Sequence, residues 1–152
     1  MKTKKKYVLF ICADQWRWDC FGFMKHKHAL TPNIDNLAKE STSFTSHFAG
    51  IVPCGPARTT MLTGLYPFIH RSVTNGAPLD KRFTNIAKEA RKIGYDPKLY
   101  GFTDTSWDPR YLDPKDEKNF TYESPMEGFD PVCYLTEKKI FSASPRFCVK
   151  SL

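Results

Sequence analysis

A chain of 152 residues is long enough to bury one core, and 41% hydrophobic with 14% aromatic residues is the composition of a globular protein, not a disordered one. The formal charge of +7 does not make a nucleic-acid signature. Lys2, Lys4, Lys5 and Lys6 form a solvated leader, the other basic residues are spread without an aromatic-basic module, and no nucleic-acid partner is expected.

The five cysteines (Cys12, Cys20, Cys54, Cys133 and Cys148) are odd in number and scattered without paired metal spacing. Neither a disulfide framework nor a zinc site is indicated, and a reducing, cytoplasmic setting is expected. After the lysines, Tyr7 to Ala13 is a continuous apolar, β-rich run, as expected of a strand buried on both faces of a parallel sheet. It is short for a signal-peptide core and far short of a membrane span, so no membrane association is expected. Asp14 closes the run at its carboxyl end, where open α/β sheets gather ligands. A carboxylate there suits a hard divalent cation, and it equally suits the cap of a following turn.

Thr31 is placed to cap a helix with Pro32 in its first turn, and Ile34, Leu37 and Ala38 then share one face. Next comes Val52-Pro53-Cys54-Gly55-Pro56-Ala57-Arg58-Thr59-Thr60-Met61-Leu62-Thr63-Gly64, which reads as a cysteine just before a short helix. Pro56 suits the first turn because its missing N–H would have no partner there, and Gly64 suits the stop. Unpaired N–H groups and the positive helix end favour an anion beside Cys54, and Arg58, one turn on, can return a guanidinium to the same spot. The alternative is a structural cysteine in a capping turn. A second helix carries Phe83, Ile86, Ala87, Ala90 and Ile93 on one side and stops at Gly94, and Lys98 to Thr103 reads as a strand. Strand, crossover helix, strand is the parallel α/β pattern. From Asp104 to Pro131 the periodicity fades into a long ordered loop rich in Asp, Pro and aromatics.

The spacing Cys54-x-Pro56-x-Arg58 followed by Leu62-Thr63-Gly64 resembles the signature of the sulfatase family, within the alkaline-phosphatase-like superfamily. Asp14-Gln15 resembles its first metal-ligand segment, with Gln15 where a second aspartate is more usual. That departure is similar to the phosphonate monoester hydrolase and arylsulfatase branch. The similarity continues through residues 31–38, 70–80, 94–97, 108–110 and 126–131. The resemblance implies an α/β fold, the N-terminal part of an alkaline-phosphatase-like parallel-sheet sandwich with helices on both faces. Residues 1–135 would be that portion of the catalytic domain and 136–152 a truncated or frameshifted tail.

The same resemblance implies a hydrolase of phosphonate monoesters, phosphodiesters or sulfate esters, with a small anionic ester as substrate. Asp14, Gln15 and Cys54 would bind a divalent metal, Mn²⁺ or Ca²⁺. A formylglycine-generating enzyme would convert Cys54 to formylglycine, whose hydrate is the nucleophile. Arg58 would orient that hydrate, and Asn75 and His70 would lie at the substrate; a histidine in an apolar turn is also a common structural residue. Around Phe102 to Thr105 the branch tends to carry a tyrosine and further threonines, so Phe102 and Asp104 are departures. The family's remaining metal ligands, typically an Asp-His or Asp-Asn pair, lie downstream of anything in this sequence. The 152-residue chain is therefore expected to be a catalytically silent piece of a homo-oligomeric parent, or a non-catalytic interaction piece with a half-built metal site.

Overall fold

The computed structural model describes residues 6–120 and 124–134. The proposed tail at 136–152 lies outside them. The chain divides into two compact units, Met1–His47 and Phe48–Leu152.

In the first unit, helix α1 (Pro32–Lys39) begins at the predicted place, with Pro32 in its first turn. Thr31 precedes it, but its hydroxyl does not cap the helix: it donates to Asp35 Oδ1 at 2.8 Å and accepts from the Gly22 N–H at 2.9 Å. Asp35 Oδ1 also accepts from the Phe23 N–H at 2.9 Å, so one carboxylate ties the 3₁₀ turn Gly22–Met24 onto α1. A Cβ on Gly22 would collide with the Asp35 carboxylate, so any larger residue here would push that carboxylate off its contacts. The expected strand at Tyr7 to Ala13 does not form. The run makes no ladder among the described residues, and Tyr7, Val8, Leu9 and Ile11 stand almost fully exposed. A strand buried on both faces needs neighbours along its edges and layers above and below, and no described segment supplies either.

The second unit holds α2 (Cys54–Thr63), α3 (Pro67–His70), α4 (Ile86–Lys92) and two parallel strands, β1 (Lys98–Gly101) and β2 (Asp130–Tyr134). Helix α4 is capped by Asn85, whose side-chain oxygen accepts from the Ala87 and Lys88 N–H groups while its amide nitrogen donates to Glu127 O at 2.8 Å. The start of α4 is thus joined to the segment leading into β2 through one buried side chain. Gly128, at φ +106, rests on Lys88 and Ala87, and the Arg91 guanidinium donates to its carbonyl at 2.6 Å. Lys98 pairs with Asp130 across the first register position, and a bulge between Leu99 and Tyr100 follows.

The parallel pair confirms the α/β class, but its members differ from expectation. β1 ends at Gly101, and its partner β2 starts inside what reads as loop. Between them the chain makes 3₁₀ turns at Pro109–Tyr111 and Glu117–Phe120 and an antiparallel bridge from Thr105 to Ser124. The interior is small and largely polar: Leu62, Ala87 and Met126 are its buried apolar side chains, beside Thr59, His70, Ser72, Asn85, Thr103, Thr105 and Ser124. Thr103 Oγ1 and Thr105 Oγ1 lie 3.0 Å apart and each lies within hydrogen-bond reach of Ser124 O, so their two protons are shared among these three contacts. Hydroxyls bound to backbone in this way can be buried at little net cost.

Candidate active site

Cys54 is the first helical residue of α2, one position inside the predicted start, and half-buried with a free thiol. The prolines explain the geometry. Pro53, in extended conformation, precedes the helix and has neither an N–H nor a capping side chain, and Pro56 removes another N–H from the first turn. Ala57 donates to Pro53 O at 3.1 Å. Of the head-group N–H donors only those of Cys54 and Gly55 remain, and Gly55 donates to Asn75 Oδ1 at 2.9 Å. The Cys54 N–H has no partner among the described residues. The anion-favouring end of α2 therefore offers one backbone donor, fewer than a bare helix start.

Asn75 caps α2 from outside the helix. Since its oxygen accepts from Gly55, its NH₂ group is turned away as a donor and makes no hydrogen bond among the described residues. Arg58 is anchored one turn on: Nη1 donates to Phe102 O at 3.3 Å, and the guanidinium lies 4.5 Å from the centroid of the Phe102 ring. Behind the helix head, Asp104 O accepts from the Gly76 N–H at 3.2 Å. A Cβ on Gly55 would come within 2.8 Å of that same oxygen. Cys54, Arg58 and Asn75 are thus brought together by α2 and the segments around 75 and 104.

His70 sits elsewhere in the arrangement. It is buried, with Nδ1 accepting from the Ser72 N–H at 3.0 Å and Nε2 2.9 Å from Thr60 Oγ1, whose hydroxyl donates to Pro56 O at 3.0 Å. The neutral ring with its proton on Nε2 satisfies every partner, and both nitrogens are used in clasping α3 to α2. That is a structural placement. Burial pushes the imidazole below its usual range. A histidine depressed on folding contributes stability that is fully present above its unfolded value of about 6.5 and is lost as the pH falls through the lower folded value. The urea midpoint should therefore drop between about pH 7 and pH 5, and His70→Gln should flatten that part of the profile. An unchanged slope in the variant would mean that other groups carry it.

Asp14 and Gln15 belong to the first unit. They form a turn directly after the apolar run, both exposed, with Gln15 in the left-handed region at φ +55. A carboxylate and an amide oxygen at adjacent positions are the right donor types for a hard divalent cation, but two such donors are too few to hold one. Among the described residues no group of three or more His, Cys, Asp or Glu side chains is placed to bind a metal ion.

The contributions of Gly55 and Asp104 are not apparent from residue type alone. The available signals are a glycine wedged between Cys54 and Pro56, and an acidic residue between two threonines.

A cysteine opening a helix under an asparagine cap, with an arginine one turn on, is an arrangement whose chemistry suits an oxyanion at a helix start. The comparisons make this specific: the chain belongs to the sulfatase family, whose model matches residues 6–145. It is 43% identical over 133 residues to the multifunctional alkaline phosphatase superfamily protein PehA of Trinickia caryophylli, covering 84% of this chain and 26% of that protein. The crystal structure of the phosphonate monoester hydrolase of Agrobacterium radiobacter superposes with a TM-score of 0.78 at 51% identity, over 82% of this chain and 25% of that one. The phosphonate monoester hydrolase of Silicibacter pomeroyi gives a TM-score of 0.81 at 46% identity, over 88% and 26%. The fold is thus that of an alkaline-phosphatase-like hydrolase, and the chain spans about a quarter of the length of these proteins.

Proposed function

We propose that this chain is the N-terminal part of a metal-dependent hydrolase of phosphonate monoesters, phosphodiesters or sulfate esters, with formylglycine derived from Cys54 as nucleophile. The observation that carries the reading is the head of α2. Cys54 is its first residue, its N–H is unpartnered among the described residues, and Asn75 Oδ1 holds the next N–H. Membership of the sulfatase family, which generally uses a formylglycine and a divalent metal, supports it.

The residues of the chain divide the work. The Cys54 N–H and the Asn75 NH₂ group donate to non-bridging oxygens of the ester, and Arg58, fixed by Phe102, offsets negative charge that grows on them. Asp14 and Gln15 would hold the metal, which supplies Lewis-acid chemistry when bound. Gln15 in place of a second carboxylate leaves that metal more positive, which suits singly charged phosphonate and phosphodiester groups as well as sulfates. With only part of the donor set, the 152-residue chain is expected to be silent by itself. A second reading, a non-catalytic interaction piece, is favoured by the exposure of Tyr7 to Ile11.

The two are separated by joining this chain to the portion of the Agrobacterium radiobacter hydrolase that it does not cover. The chimera is co-expressed with a formylglycine-generating enzyme, supplied with Mn²⁺ or Ca²⁺, and assayed on an aryl phosphonate monoester, a phosphodiester and an aryl sulfate. Turnover of all three supports the hydrolase. Sulfate-only activity counts against the phosphonate branch, and a folded, modified but inert chimera favours the second reading. The chain alone, treated in the same way, should give no turnover.

A further inference from the structure

Strand β1 delivers Phe102 to the flank of α2. Gly101 closes the strand at φ +112, and Phe102 follows at its carboxyl end, where open α/β sheets gather their functional groups. A Cβ at Gly101 would meet nothing within 4 Å, so glycine is needed there for the backbone turn and not for space. Just before this point the pairing slips: Leu99 faces Pro131 and Tyr100 faces Cys133, which leaves Val132 as the extra residue of a bulge. Bulges re-aim the side chains beside them.

Phe102 meets Arg58 with two unlike groups. Its carbonyl accepts from Nη1 at 3.3 Å, and the guanidinium carbon lies over its ring, 4.5 Å from the centroid. The carbonyl fixes one nitrogen, whereas an aromatic face within about 6 Å attracts the flat cation as a whole and restrains its rotation. Cys54 and Arg58 stand four residues apart on one helix and so share a face, one turn apart. A long side chain on that face has many rotamers open to it, and a cation aids catalysis only from the place where charge develops. We propose that Phe102 is a positioning residue: set by the turn at Gly101, its ring holds the Arg58 guanidinium on the Cys54 face of α2. The charge-offsetting role of Arg58 then depends on that ring. This rests on the function proposed above and adds to it a residue that acts only through another.

Two readouts separate this role from a structural one. In the chain itself, the Arg58 Nε–H signal is followed by NMR. The ring should shift that signal and slow its exchange. Phe102→Leu keeps the carbonyl and most of the volume, and it should return the signal to the position of a free arginine; Phe102→Tyr should restore the shift. In the chimera, rates are taken per aldehyde, so that poor folding or poor modification does not count as poor catalysis. Phe102→Leu should lower kcat on an aryl sulfate about tenfold with KM within about twofold, and Phe102→Tyr should recover most of the loss. On an Arg58→Ala background Phe102→Leu should cost nothing further, because the ring acts through the guanidinium. The full loss on that background as well, or an Arg58 signal that Phe102→Leu leaves in place, overturns the proposal. Gly101→Ala is the second route, used where Phe102→Leu does not fold: it adds no clash and strains only the backbone, so it should displace Phe102 and remove the same Arg58 shift. Unfolding of both variants would make Phe102 a structural residue and overturn its positioning role. A chimera inert with Phe102 and Arg58 intact overturns the proposed function and this role within it, whereas a working chimera indifferent to Phe102→Leu overturns this role alone.

Discussion

After co-expression with a formylglycine-generating enzyme, the chain should carry an aldehyde at Cys54 and at no other cysteine, and Cys54→Ala should carry none. Cys12, Cys20, Cys133 and Cys148 all lack the proline two residues on and the arginine four residues on that follow Cys54. Peptide mass spectrometry reads the loss of sulfur and gain of a carbonyl oxygen directly, and an aldehyde-reactive probe gives an independent count. In the chimera, Cys54→Ala removes the nucleophile, and turnover should fall by about 10⁴-fold or more. Folding is a separate matter. Cys54 is half-buried at a helix start and alanine is the best helix former, so the urea midpoint should move by less than about 1 kcal/mol equivalent. An unaltered thiol in an active preparation would sink the formylglycine assignment.

The local signals in the sequence were those that a single element can satisfy alone. Pro32 and Gly64 marked a helix start and a helix stop correctly because proline's missing N–H and glycine's tolerance of the left-handed region act within one turn. The apolar run at Tyr7 failed as a strand because a strand is a relation between segments, and no described segment pairs with it. β2 was hidden for the same reason: Asp130-Pro131 reads as loop, and its pairing with Lys98 and Leu99 depends on a register that only the folded chain defines. Phe83 extends the apolar stripe beyond the helix and masks Asn85, whereas the helix starts where a side-chain oxygen can meet two backbone donors.

At the site, residue types indicate Cys54 and Arg58 and the family resemblance adds Asn75, but neither says how they are held. Two prolines strip the helix head of donors, so Asn75 matters first as a cap, and its NH₂ group is left without a partner among the described residues. His70 illustrates the reverse. The resemblance places this histidine at the substrate, yet Thr60 and Ser72 occupy both ring nitrogens, and burial lowers the ring below its usual range.

Gly55→Ala should be the most damaging single-methyl change in the second unit. Helix propensity alone would favour alanine by about 1 kcal/mol. Against this, the new Cβ would lie 2.8 Å from Asp104 O and 3.0 Å from Asn75 Cα, both main-chain atoms, and 3.3 Å from Asn75 Oδ1. The two closest are main-chain atoms that no rotamer change can move, so the head of α2 must move away from the segments at 75 and 104. That movement weakens the Asn75 cap and the alignment of Cys54 together. A net loss of about 2 kcal/mol is expected, read as a lower urea midpoint. Asn75→Ala should cost about 1 kcal/mol by removing the cap without the clash. Because both changes act on one contact, the double variant should fall short of their sum. A Gly55→Ala chain as stable as the original would show that the helix head is not packed against Asn75 and Asp104.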